Sequence, residues 1–241
     1  MIFNVKKYKP LDDTLRKGWT IQQLKNIPAG LKILDAGAGE CFYKQYCTHL
    51  NYVAQDFCQY DGFGDGSGIQ QEQQRNNSQI DIVSDITHIP VPNDSFDVVL
   101  CTEVLEHVPD PVSAIKEFDR ILRKDGIMIL TTPFSSYTHQ APYHFYSGLN
   151  RYFYQHWFSE NYDIEILQSS GNWFELVAFE INILRGVIEK YTTKKMNLWD
   201  RFIKGLLTMR LKHYSRISKN ADELGCLGYF VVAKKIKNRI Y

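Results

Sequence analysis

The strongest constraint on the fold is a short apolar run, Leu31-Lys32-Ile33-Leu34, that stops on Asp35-Ala36-Gly37-Ala38-Gly39. A strand that ends in a glycine turn and opens a helix lets backbone approach a ligand with no Cβ in the way. A second run, Tyr52 to Ala54, ends at Asp56, twenty-one residues after Asp35. That is the spacing at which an acid meets an adenosine ribose. An ordinary strand-to-helix turn, with Asp56 as a helix cap, is the bland alternative, and the three features together argue against it. A dinucleotide turn needs a small residue at the position that Phe42 occupies here, so a ligand without a pyrophosphate fits better than NAD.

The rest of the chain supports the same architecture. Residues 11–27 read as a helix, with Asp12 or Asp13 as cap and Pro28 and Gly30 as its end. A helix is expected over 41–49. Strands are expected at 80–83, 96–101 and 127–130, with a helix over 110–124 opening on Asp110-Pro111 and ending at Gly126. Two more strands follow at 162–167 and 228–233, and the stretch 172–224 between them is helical in pattern. Strands alternating with helices, and apolar along their whole length, imply an α/β fold with a doubly wound, mostly parallel sheet. A single domain over 1–241 is expected, carrying 172–224 as a helical insertion before the last strand.

Composition narrows the partners. A net charge of +1 gives no global pull toward nucleic acid or membrane, so a local patch would have to supply it. No RNA-binding module accompanies the charge, and nucleic acid is not expected as a partner. Five cysteines (41, 47, 58, 101 and 226) form no Cys-x-x-Cys pair and read as reduced thiols. No segment is apolar enough to span a bilayer, and Met1 to Pro10 is basic without a signal-like apolar run. A soluble, cytoplasmic protein is the expectation; its oligomeric state is left open. No His-x-x-x-His or clustered carboxylate set suggests a metal.

Four motifs in order over residues 31–132 resemble the class I S-adenosylmethionine-dependent methyltransferases. Ile33-Leu34-Asp35-Ala36-Gly37-Ala38-Gly39 looks like their first motif, with Cys41 where a third glycine is usual. Asp56 matches the acid that holds the ribose hydroxyls. Ser84-Asp85-Ile86, followed by Ile89-Pro90, resembles the adenine segment. Phe96-Asp97-Val98-Val99-Leu100, followed by Glu103-Val104-Leu105-Glu106-His107-Val108, looks like the fourth-strand motif at the methionine end. The resemblance implies a Rossmann-like methyltransferase fold with S-adenosyl-L-methionine as cofactor. It implies a cofactor set of Asp35, Gly37, Gly39, Asp56, Asp85, Ile86, Thr102 and Glu103.

A methyl acceptor that is a hydroxyl needs alignment and loss of a proton. His144 and, second, His139 lie just past the fifth strand among hydroxyls and aromatics, which makes them the candidate bases; His107 ranks third. Residues 132–153 resemble, more loosely, a region of methyltransferases encoded with bacterial surface-polysaccharide enzymes. That implies a small-molecule or glycan substrate. A quinone or lipid-like acceptor is the alternative, and a non-catalytic cofactor-binding scaffold the rival from another class.

The Gly- and Gln-rich stretch 61–78 reads as a mobile loop, a candidate lid. Between Arg185 and Lys219 stand ten basic residues (185, 190, 194, 195, 201, 204, 210, 212, 216 and 219) against Glu189 and Asp200. Leu198, Trp199, Phe202, Ile203, Leu206 and Leu207 recur there at helical spacing. Packing on the core is the default reading of such a stripe, and a peripheral membrane contact through 198–212 is the alternative.

Overall fold

The computed structural model describes residues 11–237; the basic Met1 to Pro10 segment lies outside them. Seven strands form one sheet: β1 (Lys32–Ala36), β2 (Asn51–Asp56), β3 (Ile82–Val83), β4 (Phe96–Thr102), β5 (Leu122–Pro133), β6 (Tyr162–Ser170) and β7 (Gly228–Lys235). Their order is β3-β2-β1-β4-β5-β7-β6. β1 pairs in parallel with both β2 and β4, β4 with β5, and β2 with β3, whereas β7 runs antiparallel to β5. The chain winds outward from β1 in one direction and from β4 in the other. The carboxyl ends of β1 and β4 therefore flank the crevice where such sheets bind ligands.

Parallel strands buried on both faces explain the unbroken apolar runs. Leu34, Val98, Val99, Leu100, Met128 and Leu130 are all fully buried. Each side chain of this size adds about 1.5–3 kcal/mol of burial free energy.

Among the described residues five α-helices accompany the sheet: α1 (Leu11–Asn26), α2 (Pro111–Ile121), α3 (Arg151–Phe158), α4 (Trp173–Tyr191) and α5 (Leu198–Ile217). Asp12 and Asp13, expected as caps, fall inside α1, which starts at Leu11. Asp110 does cap α2, accepting from Ser113 N at 3.0 Å, with Pro111 in the first turn. The buried Lys235 ammonium reaches the carbonyls of Asp119 and Leu122 at the other end of α2, at 2.5 and 2.8 Å. A cation placed there satisfies carbonyls the helix leaves free.

Three expectations need correction. Residues 41–49 form no α-helix, only one tight turn at Lys44–Tyr46, with Cys41 at φ 56° before it and Cys47 leaving the helical region after it. α2 stops at Ile121, not 124, because the fully buried Leu122 pairs with Phe96 and draws the chain into β5. The register then shifts, with Val98 opposite Ile127, and Gly126 lies inside the strand instead of ending a helix. α3 was not anticipated. Its cap is Asn150, accepting from Tyr152 N and Phe153 N, and it buries Tyr154 and Phe158 one turn apart.

The described chain divides into two compact units, residues 16–168 with 228–237 and residues 11–15 with 169–227. The second unit contains α4 and α5, which pack against each other. Asn172 caps α4, and Asn197 and Asp200 form a reciprocal capping box on α5.

The polar loop 61–78 is more tightly built than its composition suggests. Tyr60 Oη donates to Gln70 Oε1 at 2.8 Å, Gln70 Nε2 donates to Ser67 O and Ala141 O, and Ile69 bridges to His139. Gly68 sits at φ 64°, and a Cβ there would lie 2.2 Å from Thr138 O. Glycine serves close backbone approach here, so the loop's composition does not argue for mobility. Gly68→Ala is expected to cost more than about 1 kcal/mol and to expose the loop. Limited proteolysis checks this: the wild-type loop should resist cleavage, and the variant should be cut within 61–78.

Candidate active site

A cavity of about 410 Å³ opens at the carboxyl ends of β1 to β4. Its wall includes Gly37, Asp56, Asp85, Ile86 and Glu103 from the expected cofactor set, together with Val104 and His107. Asp35, Gly39 and Thr102, from the same set, do not face it, nor do His139 and His144.

The glycine turn works through its neighbours. Gly37 has φ 75°, and a Cβ on it would lie 2.4 Å from Val104 Cγ2. Its N–H donates to Gln55 O at 2.8 Å, and Gln55 Nε2 donates to Ser84 O at 2.7 Å, which ties the ends of β1, β2 and β3 together. Asp56 is 3% exposed and accepts from Gly39 N at 2.9 Å and Cys58 N at 2.8 Å, one on each oxygen. A carboxylate offers about four lone-pair sites, so each oxygen can take a further hydroxyl. Asp85 Oδ1 is held by Thr87 N and Oγ1 at 2.8 and 2.7 Å. Glu103 adopts φ 53°, donates its N–H to Thr131 O and accepts from Thr131 Oγ1 at 3.0 Å. Three carboxylates, Asp56, Asp85 and Glu103, thus ring one cavity.

Asp35 plays a different part. It is buried behind the turn, and Tyr52 Oη donates to its Oδ2 at 2.6 Å. Burial raises its pKa to about 7 against the lowering hydrogen bond from Tyr52, and the nearby Asp56 charge adds to the rise. The folded state therefore holds a proton that the unfolded chain, with a value of 3.8, releases. This stabilisation is complete below pH 3.8 and is lost as pH rises toward 7, on the order of 4 kcal/mol in all. Asp35→Asn should flatten that slope. Chemical denaturation at pH 4, 5.5 and 7.5 checks it: equal slopes in both proteins would contradict the assignment.

At the cavity wall His107 begins a cluster of three imidazoles in edge-on and tilted contact, with His139 and His144 behind it. The ring centroids of His107 and His139 lie 4.6 Å apart, those of His139 and His144 4.7 Å, and those of His107 and His144 5.9 Å. His107 Nδ1 meets Tyr143 O at 2.5 Å, so with the proton there its Nε2 carries the free lone pair. His139 Nδ1 meets Tyr137 O, and His144 Nε2 meets Ser136 Oγ at 3.0 Å. Burial lowers His107 to about 3 and His139 to about 4, each helped by its neighbouring imidazoles, and also lowers His144. Glu106 is buried below them, and neither of its carboxyl oxygens has a hydrogen-bond partner. Its Oε1 lies 3.7 Å from His107 Nε2. Burial, with the Glu103 charge next, raises its pKa well above the usual range. Ligand atoms of Glu106, His107 and His139 lie within 4.8 Å of one another, near enough to chelate a cation as well as to share a proton. Spacing along the chain could not show this, because the groups come from loops after two different strands.

Sequence reasoning missed Arg75. It reaches the cavity from the polar loop, and a Cβ on Gly39 would lie 2.3 Å from its Nη2. The available signal was that Arg75 is the one Lys or Arg between Lys44 and Lys116. Phe57, Tyr143 and Phe145 complete an aromatic side, with Phe57 and Tyr143 edge to face at 5.0 Å.

Comparison with known proteins adds to this geometry. Residues 34–130 match the family described as Methyltransferase domain. The ubiquinone biosynthesis O-methyltransferase of Pseudomonas aeruginosa is 30% identical over 134 residues, 52% of this chain and 54% of that protein. The protein of the same name from Actinobacillus pleuropneumoniae is 30% identical over 119 residues, 46% of this chain and 50% of its own. The chain thus spans about half the length of these curated relatives. A solved SAM-dependent methyltransferase from Archaeoglobus fulgidus superposes with a TM-score of 0.54 at 13% identity, covering 96% of this chain and 97% of that one. The [4+2]-cyclase SpnF superposes at 0.52 with 14% identity, covering 91% and 80%. A cyclase on the same fold means that chemistry has to be argued from the site.

Proposed function

We propose that this chain, whose residues 34–130 match the methyltransferase domain family, transfers a methyl group from S-adenosylmethionine to a hydroxyl oxygen of a small ring-bearing molecule. The observation that carries this reading is the match between the cavity wall and the cofactor's donors. Ribose hydroxyls, an adenine amino group and an α-ammonium all need acceptors, and the wall offers Asp56, Asp85 and Glu103. Arg75 supplies a cation for the methionine carboxylate. When bound, the cofactor supplies a sulfonium-activated methyl group for in-line displacement.

The chain's own residues do the rest. Asp56 holds the ribose, Asp85 and Ile86 hold the adenine edge and face, and Gly37 keeps the floor of the cleft open. Phe57, Tyr143, Phe145, Val108 and Pro109 give the acceptor an apolar berth that excludes water. His107 takes the hydroxyl proton, because it is the imidazole in the wall and is neutral near pH 7; its Nε2 is buried without a hydrogen-bond partner, so the ring turns toward the cavity to accept it. Glu106 Oε1, 3.7 Å from Nε2, is the carboxyl oxygen nearest the imidazolium that results. His139 and His144 position His107 by edge-on ring contact.

An aromatic or quinol hydroxyl is favoured over a sugar by this apolar berth and by the similarity to ubiquinone biosynthesis O-methyltransferases. The test is a comparison of kcat/KM for catechols, prenylated phenols and nucleotide sugars, before and after dialysis against a chelator. Phenols should be methylated best, and activity should survive the chelator. Preferential methylation of a sugar would restore the glycan reading, and chelator loss reversed by added cation would replace proton sharing with metal binding at Glu106.

A further inference from the structure

The α4–α5 unit holds a second cavity, of about 790 Å³, with no part in the reading above. Arg185, Arg201, Lys204, Arg210, Lys212 and Arg216 line it, and no Asp or Glu does among the described residues. Beside it, α5 turns its apolar stripe outward. Leu198, Trp199, Phe202, Ile203, Leu206 and Met209 are 79, 76, 63, 59, 48 and 60% exposed. Within one unit, then, a cationic hollow adjoins an uncovered row that includes Trp and Phe. The core-packing expectation for this stripe is overturned, since of the α5 residues only Leu211 is buried.

From this juxtaposition we infer that α5 is an interfacial helix, and that the cavity between α4 and α5 receives the phosphate of an anionic phospholipid at a bilayer surface. An exposed contiguous apolar row marks a contact surface. Basic residues flanking Trp, Phe and Leu are what a helix lying in the headgroup plane presents. At 100° per residue, the six apolar side chains span little more than one third of the helix circumference, and Arg201 and Lys212 fall on the arc next to it. The only acid on α5, Asp200, is engaged in the capping box at its N-terminus. A second copy of the chain is a poor occupant, because two such faces would bring their cations together. No helix among the described residues is long and apolar enough to cross a membrane, so the contact is peripheral.

Flotation of the full chain with vesicles tests this, using phosphatidylcholine alone and phosphatidylcholine with phosphatidylglycerol. The wild type should float with the anionic vesicles and release in high salt, and should stay behind with the neutral ones. The triple variant Arg201→Gln, Lys212→Gln, Arg216→Gln should lower the partition coefficient by about a hundredfold. Trp199→Ser with Phe202→Ser should abolish flotation at moderate salt. Cofactor affinity and circular dichroism should match wild type in both, which excludes misfolding. Equal flotation with neutral vesicles, or flotation unchanged in the triple variant, would overturn the inference. So would calorimetric binding of inorganic phosphate with no flotation, which would make free phosphate the ligand. Sedimentation as a dimer that Trp199→Ser dissociates, again with no flotation, would assign the face to a second copy. These outcomes are independent of methyl transfer.

Discussion

Asp56→Ala is expected to weaken S-adenosylmethionine binding by at least about tenfold, and by about a hundredfold if both ribose bonds are lost. Charge-assisted hydrogen bonds contribute about 1.5–3 kcal/mol each, and each 1.4 kcal/mol is a factor of ten. The structure sharpens the choice of control. Asp56 also accepts from Gly39 N and Cys58 N, so alanine leaves two buried donors without a partner. Asp56→Asn keeps the volume and one acceptor oxygen, and should fall between wild type and alanine. Isothermal titration calorimetry on both folded variants decides it. Wild-type affinity in either one would remove Asp56 from the ribose site.

The second large effect is on turnover. His107→Ala should lower kcat by at least about a hundredfold with cofactor affinity nearly unchanged, the range expected for loss of a general base. His144→Ala and His139→Ala should cost less than about tenfold, because neither imidazole faces the cavity. If His144→Ala falls as far as His107→Ala, the base belongs to the loop after β5, as residue type and chain position alone suggest. The pH profile gives an independent reading. Burial lowers His107 to about 3, so its neutral, proton-accepting form persists well below the ordinary histidine range. The wild-type kcat/KM profile should therefore stay flat on the acid side through pH 6.5 and down to about 5. A decline centred near 6.5 would instead mean that an imidazole with an ordinary pKa does the work.

The sheet was legible because its signals are local. Unbroken apolar runs at β1, β4 and β5, each ending in a polar turn, place the strands, and glycine with acid spacing places the ligand edge. Asp56, Asp85 and Glu103, picked out by position in that pattern, all line the cavity. Asp35 shared the pattern yet faces away from the cavity, since alternate strand residues point to opposite faces and Tyr52 takes its carboxyl. The histidine and glutamate cluster was not legible. His107 and Glu106 follow β4, whereas His139 and His144 follow β5, and only the parallel pairing of the two strands brings those loops together. α3 was hidden by its aromatic content, which read as an acceptor-binding loop. The apolar stripe of α5 read as core because periodicity gives a face but not what covers it.

The central claim is methyl transfer itself, and a trideuteromethyl-labelled cofactor tests it most directly. Wild-type protein, a catechol-type acceptor and labelled S-adenosylmethionine should yield S-adenosylhomocysteine and an acceptor heavier by one labelled methyl, in equal amounts, by mass spectrometry. The His107→Ala protein should bind the cofactor and form almost none of either product. Tight cofactor binding with no S-adenosylhomocysteine from phenolic, lipid-like or sugar acceptors would contradict the account and leave a cofactor-binding scaffold in its place.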